Sequence, residues 1–210
     1  MRPSHILWDF NGTLLDDLYA CINSINELLV RYGKKPIAGK TEYQRVFGFP
    51  IKDYYARIGF DFDEVSFEKL AVEWVELYNK FSYQIKPCPN AKEALAEVKK
   101  AGIPQLILTA SKTEMVEGQL DMLGFRSYFD GIIGLDNIHA AGKTDIALEW
   151  ARRVRPEAPV LIGDTTHDAE TADALGIECL LVCCGHMSYD KLIKYKPVFF
   201  DPYQAVKSIL

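Results

Sequence analysis

Short, mainly apolar runs alternate with helix-patterned stretches through the second half of this chain, and that alternation leaves little choice of fold. The runs fall at 5–8, 105–109, 131–134, 159–162, 179–183 and 198–200, with helical patterns between them at 90–101, 112–123, 143–153 and 166–175. Ala91, Ala94, Leu95 and Val98 sit at i, i+3, i+4 and i+7, a single apolar helix face with Asn90 as its expected N-cap. Ser111-Lys112-Thr113-Glu114 reads as a capping box that opens the next helix. Strands apolar on both sides and joined by helices belong in a parallel sheet covered on two faces, an α/β doubly wound architecture.

The first strand breaks the rhythm. It ends near Asp9, and more than ninety residues pass before the next strand begins near Pro104. A crossover needs only a dozen or so. The helix at 90–101 can serve as that crossover, which leaves an insert. The sequence therefore predicts a core from residues 1–15 and 86–210 and an inserted helical cap from 16–85. Leu18, Ile22, Ile25, Leu28 and Leu29 mark one cap helix; Phe67, Leu70, Ala71, Trp74, Leu77, Tyr78 and Phe81 form the stripe of another. That aromatic stripe is expected to be cap core rather than a ligand platform. The insert leaves the sheet at the C-terminal end of strand one, where doubly wound sheets bind ligands, so it is placed to act as a lid.

Composition narrows the function classes. With 49% apolar and 25% charged residues and a net charge of −5, the 210-residue chain has the make-up of an ordinary globular protein. It has no basic surface to recommend nucleic acid or an anionic membrane. No stretch approaches the ~18 unbroken apolar residues of a membrane span, and the N-terminus has no signal-peptide pattern. Five cysteines, Cys21, Cys88, Cys179, Cys183 and Cys184, form neither a paired motif nor an even set, so a reduced cytoplasmic protein is expected.

Four polar clusters fall at the C-terminal ends of expected strands: Asp9-Phe-Asn-Gly-Thr13, Thr109-Ala110-Ser111, Lys143, and Gly163-Asp164-Thr-Thr-His-Asp168. Parallel strands bring those ends to one edge, so the clusters should converge. Their types suit phosphoryl transfer. Asp9 can attack phosphorus as a carboxylate nucleophile. Asp164 and Asp168 lie one helical turn apart and can face a hard cation such as Mg²⁺. Gly12 permits a tight turn whose N–H groups point at a phosphate, with Thr13, Ala110 and Ser111 beside it. The Thr109 hydroxyl can bond a phosphate oxygen, and Lys143 supplies positive charge. His5, His139, His167 and His186 are expected to orient or pack rather than catalyse. Asp16 and Asp17 are either motif residues or helix N-caps.

These clusters resemble the four motifs of the haloacid dehalogenase superfamily, in particular its phosphoglycolate-phosphatase-like branch with a helical cap. WDFNGTLLDD is similar to motif one, LILTAS to motif two, Lys143 in AAGKTDIAL to motif three and LIGDTTHDAETADALGI to motif four. The resemblance implies a Mg²⁺-dependent phosphatase acting on a small phosphorylated metabolite through an aspartyl-phosphate on Asp9. It implies Mg²⁺ held by Asp9, the backbone carbonyl of Asn11 and Asp164, with Asp168 acting through water. In motif three, Lys-Thr stands where Lys-Pro is common. The larger departure is Asn11, where phosphatases of the family carry an acid–base aspartate. An amide cannot shuttle a proton at neutral pH, a loss typically worth ~10²–10⁴-fold. Cap residues Arg45, Lys52, Tyr54 and Tyr55 surround a Gly48-Phe49-Pro50 turn similar to the segment by which caps of this branch reach substrate, and Arg45 is the expected contact for an anionic group. Two alternatives stand beside the phosphatase: a phosphonatase using Lys52 as a Schiff base, and a degenerate protein that binds metal and phosphate without turnover.

Overall fold

The computed structural model describes residues 2–135 and 142–210, so His139 lies outside the described residues. In chain order the elements are β1 (His5–Trp8), β2 (Leu15–Asp16), α1 (Leu18–Arg31), α2 (Lys40–Val46), α3 (Ile51–Arg57), α4 (Phe67–Phe81), β3 (Lys86–Pro87), α5 (Ala91–Lys100) and β4 (Gln105–Leu108). They continue with α6 (Thr113–Leu123), β5 (Gly131–Ile133), α7 (Lys143–Val154), β6 (Pro159–Gly163), α8 (Thr166–Leu175), β7 (Glu178–Val182), α9 (Tyr189–Leu192), β8 (Val198–Phe199) and α10 (Pro202–Lys207). Six strands form one sheet in the order β5-β4-β1-β6-β7-β8, and every pairing in it is parallel.

Burial on both faces explains the apolar runs. Ile6, Leu7 and Trp8 are all fully buried. Strand residues of alternating parity divide between two clusters: Ile6, Trp8, Ile107, Val160 and Ile162 join one with Leu95, Val98 and Val206. Leu7, Leu108, Leu161 and Leu181 join another with Ile146, Trp150 and Ala172. Polar groups within the core are bonded. The Trp8 indole donates to Gln105 Oε1 at 3.0 Å, and Gln105 Nε2 donates to the Leu95 carbonyl at 3.0 Å.

From β1 the chain steps outward through β4 to β5, then returns to β6 on the other side of β1. The strand order therefore reverses beside β1 and β6, and Asp9 and Asp164 follow those two strands directly. This is the crevice where doubly wound sheets place ligands.

Helices α1 to α4 build a third cluster in which Ile25, Leu28, Leu29, Leu70 and Leu77 are buried, with α1 and α4 as its main pair. The chain passes between this helical layer and the sheet twice, and the two passages pair as a short antiparallel ladder, Leu15 opposite Pro87 and Asp16 opposite Lys86.

Of the two expected helix caps, one holds its position and one is corrected. Asn90 is the N-cap of α5, but in a left-handed conformation (φ 55°) with no side-chain cap bond; its Nδ2 donates to Asp201 Oδ2 at 2.9 Å and ties α5 to the start of α10. The Ser111–Glu114 box is not the cap of α6, whose N-cap position is Lys112 without a side-chain bond. The Ser111 hydroxyl instead donates to Asn11 Oδ1 at 3.4 Å. A capping box does form at α8, where Asp168 Oδ2 accepts from the Thr165 N–H at 3.0 Å and from its hydroxyl at 2.7 Å.

Candidate active site

The four clusters converge. Asp9, Asn11, Thr109, Ala110, Ser111, Lys143, Asp164 and Thr165 all line one cavity of about 520 Å³ between the sheet edge and helices α2 to α4. Asp9 is gripped on both oxygens: Lys143 Nζ donates to Oδ1, and the Thr13 hydroxyl donates to Oδ2 at 3.1 Å. Lys143 also donates to Asp168 Oδ1 at 2.6 Å. Thr109 is buried, and its hydroxyl accepts the Ser111 N–H at 3.1 Å, which leaves its proton available to a ligand.

Asp9, Asp164 and Asp168 bring a carboxylate oxygen each within 4.8 Å of one another, and all three are buried. One ammonium, Lys143, stands against them. Burial pushes Asp9 up to about 6, against the pull of Lys143. Burial likewise pushes Asp164 well above the usual carboxylate range, with His186 pulling it down and Asp9 pushing it up. Asp168 is different: burial raises it, but the Lys143 charge and the bonds from Lys143 and Thr165 hold it below the usual range. A crowded oxygen-only set with surplus negative charge fits a hard cation such as Mg²⁺. Both Asp168 oxygens are engaged, and the residue does not line the cavity. It acts from behind, by fixing Lys143 and the start of α8.

Glycines make the close approach possible. Gly12 has φ +81°, and a Cβ there would overlap Asp164 and the His186 ring. A Cβ on Gly185 would overlap Asp164 Oδ2 and the Gly12 carbonyl. Gly12 and Thr13 therefore pack under the acids rather than lining the cavity.

A second buried group, which residue spacing along the chain does not reveal, lies beside the first. Asp17 precedes α1 but makes no cap bond. Its carboxylate accepts from Asn11 Nδ2 at 2.8 Å, the Tyr78 hydroxyl at 2.9 Å and His186 Nε2 at 3.1 Å. Burial alone would lower His186, yet the Asp17 carboxylate lifts it to about 9. Protonated, His186 donates from Nδ1 to the Tyr43 hydroxyl at 3.1 Å, and its backbone N–H donates to Asp164 Oδ2 at 2.6 Å. Burial raises Asp17 as well, but its bonds to His186, Asn11 and Tyr78 hold it below the usual range. This ion pair ties helices α2 and α4 to Asp164 and its neighbouring acids. Asp16, by contrast, pairs with Lys86 at 3.7 Å near the surface. Truncating one member of a buried pair strands the other charge, so His186→Ala should lower unfolding free energy by about 3–5 kcal/mol. Urea denaturation measures this, and a loss under about 1 kcal/mol would contradict the pairing.

Several expected contacts are placed elsewhere. Arg45 does not line the cavity: its side chain is 74% exposed and pairs with Glu42 at 3.4 Å, because its position in the last turn of α2 faces solvent. Lys52 stacks over Phe62 at 5.1 Å and is also absent from the lining. The Gly48-Phe49-Pro50 turn does reach the site, with the Phe49 ring 4.9 Å from the His167 ring. The α4 stripe is core, as expected, at Leu70, Leu77 and Tyr78, with Trp74 packed against that cluster, but Trp74 and Tyr78, stacked at 5.1 Å, also line the cavity.

Comparison with known proteins accords with this geometry. The sequence profile of the family described as Haloacid dehalogenase-like hydrolase matches residues 6–182. A protein of Caldanaerobacter subterraneus provisionally named pyrophosphatase PpaX is 27% identical over 215 residues, spanning 100% of this chain and 96% of its own. Phosphoglycolate phosphatase of Pseudomonas putida is 22% identical over 193 residues, 88% of this chain and 71% of its own. Among solved structures, a haloacid dehalogenase-like family hydrolase from Streptococcus pneumoniae superposes with a TM-score of 0.85 at 23% identity, covering 99% of both chains.

Proposed function

The chain belongs to the haloacid dehalogenase-like hydrolases, and we propose that within that family it is a Mg²⁺-dependent phosphatase of a small phosphorylated metabolite, with Asp9 as nucleophile. The observation that carries the reading is the Asp9 carboxylate. It opens into the cavity, is oriented by Lys143 and Thr13, and stands within reach of Asp164 and Asp168. Asp9, the Asn11 carbonyl and Asp164 would hold the cation, with Asp168 behind them. Bound there, Mg²⁺ would offset the charge of the phosphoryl oxygens that repels a carboxylate nucleophile. Residues 16–85 act as the cap and 1–15 with 86–210 as the core. Five free cysteines and the lack, among the described residues, of any helix long and apolar enough to cross a membrane accord with a cytoplasmic setting.

In this reading Asp9 forms the new bond to phosphorus as the ester oxygen departs, and water then cleaves the aspartyl-phosphate to phosphate and free Asp9. Thr109, Ser111 and Lys143 surround the transferred group. Asn11 can hold its place but supplies no proton. Its amide is committed to Asp17, so both steps run without the usual acid–base partner. The phosphonatase alternative needs a free cap amine in the cavity. Lys52 is outside it, and Lys143, the lysine in the lining, is paired with two carboxylates.

Metal binding is testable without turnover. Mg²⁺ should raise the melting temperature, by the equivalent of about 2.7 kcal/mol at a hundredfold excess over Kd. Asp164→Asn should abolish that rise and, by removing one of three crowded acids, stabilise the metal-free protein by roughly 0.5–2 kcal/mol. A Mg²⁺ shift that survives in Asp164→Asn would overturn the ligand assignment.

A further inference from the structure

We infer that the substrate is an aryl phosphate, a phosphate monoester whose alcohol half is an uncharged, phenol-type ring, an inference that rests on the phosphatase reading above. Two independent features of the site meet on this class.

The first is the chamber that receives the leaving group. Beyond Asp9, the cavity wall is made by Tyr43, Phe47, Phe49, Tyr54, Trp74 and Tyr78, and this is the half of the site that the cap supplies. Aromatic walls favour a flat ring, packed edge or face, and penalise an unpaired charge. A leaving group bearing a carboxylate or a second phosphate needs a cation. Among the described residues the lysines and arginines of the lining reduce to Lys143, which is already shared between Asp9 and Asp168; of the two lining histidines, protonated His186 is spent on Asp17 and His167 stands 3.6 Å from Glu170. Arg45 and Lys52 face away, and the segment 136–141 (DNIHAA) contains no lysine or arginine. The wall also keeps one polar atom in reserve. Tyr54 is 3% exposed, and its hydroxyl has no hydrogen-bond partner among the described residues. A ring carrying one neutral polar substituent could satisfy it.

The second feature is Asn11. Without an acid to protonate the departing oxygen, the rate depends steeply on how well that oxygen leaves as an anion. A phenol, with a pKa near ~10, is a far better leaving group than an alkyl alcohol. The P–O(aryl) bond breaks as Asp9 Oδ–P forms, the phenoxide takes its proton from water, and hydrolysis of the aspartyl-phosphate balances the cycle. The chamber and the missing acid thus select the same half-molecule for separate reasons.

The test pairs turnover with binding on the Mg²⁺-loaded protein. Acetyl phosphate, small and activated, reports on the phosphatase reading alone. If neither it nor phenyl phosphate is hydrolysed, that reading fails. For the substrate class, phenyl phosphate should exceed both phosphoglycolate and pyrophosphate in kcat/KM at least tenfold. Benzyl phosphate, the same ring on an alkyl oxygen, should fall below phenyl phosphate but above phosphoglycolate. Independently of turnover, benzylphosphonate should bind at least tenfold more tightly than phosphonoacetate, which carries a carboxylate in place of the ring. Val75→Arg, at a half-exposed position on the chamber wall, should cut that binding preference at least tenfold. Equal or tighter binding of phosphonoacetate, faster turnover of phosphoglycolate or pyrophosphate, or a preference unmoved by Val75→Arg would each overturn the inference.

Discussion

Asp9→Asn protein should release phosphate on the order of 10⁴-fold or more slower than wild type, the scale seen when a nucleophile that acts as a unit with its partners is removed. The fold should not suffer. Burial already pushes the Asp9 carboxyl up to about 6, so the neutral amide sits there at little cost. Its oxygen can accept from Lys143, its nitrogen can bond the Thr13 hydroxyl, and Lys143 keeps Asp168 as counter-ion. The substitution therefore separates chemistry from folding. Activity with acetyl phosphate and thermal unfolding are measured side by side, and the variant should lose the first while keeping the second. Residual release within tenfold of wild type would remove Asp9 from the mechanism.

The second large effect runs the other way. Asn11→Asp should accelerate hydrolysis of alkyl esters such as benzyl phosphate by ~10²–10⁴-fold, the usual worth of a general acid–base group. Phenyl phosphate should gain less, because phenoxide needs little help to leave. The structure explains how the new carboxyl would hold a proton at neutral pH. Asn11 Nδ2 lies 2.8 Å from Asp17 Oδ2, and two carboxyl groups at that separation, one buried and one half-buried, do not both ionise readily. Holding that proton against the carboxyl's ordinary acidity should cost about 1–3 kcal/mol of stability. Steady-state rates on the two esters, with urea denaturation alongside, decide the matter. An unchanged benzyl rate in a folded variant would show that proton transfer at position 11 does not limit this protein.

Much of the scaffold was legible because it follows from local pattern. The runs at 5–8, 105–109 and 159–162 are apolar without alternation because they are buried on both faces, and Asp9 and Asp164 are brought together by the parallel pairing of the strands they follow. The helices at either end of the insert were legible from their stripes, whereas α2 and α3, at seven residues each, are too short for periodicity to declare them. Asn90 keeps the N-cap position and Ser111 loses it, yet neither side chain caps its helix, because a side chain with a strong capping preference takes a better partner when the tertiary structure offers one, here Asp201 and Asn11. Asp17 and His186 show the limit more sharply. They are 169 positions apart, and no spacing rule reveals that they share a buried ion pair. The only local hint is that Asp17 closes the stretch similar to motif one. Arg45 illustrates the converse. Charge made it attractive in the sequence, but the direction of one helix turn places it in solvent. That Trp74 and Tyr78 also line the cavity was not legible, because a stripe records burial without saying whether protein or ligand lies opposite.

Covalent transfer to Asp9 is the claim on which the rest depends, and the missing proton carrier makes it unusually accessible to measurement. Asn11 cannot activate the water that cleaves the acyl phosphate, so the intermediate should accumulate. Wild-type protein mixed with acetyl phosphate and Mg²⁺, quenched in acid within one turnover and digested, should carry a single phosphoryl group on the peptide containing Asp9. The label should vanish in Asp9→Asn protein and without Mg²⁺. Steady phosphate release with no label on that peptide, or with the label on another residue, would contradict Asp9 as the nucleophile.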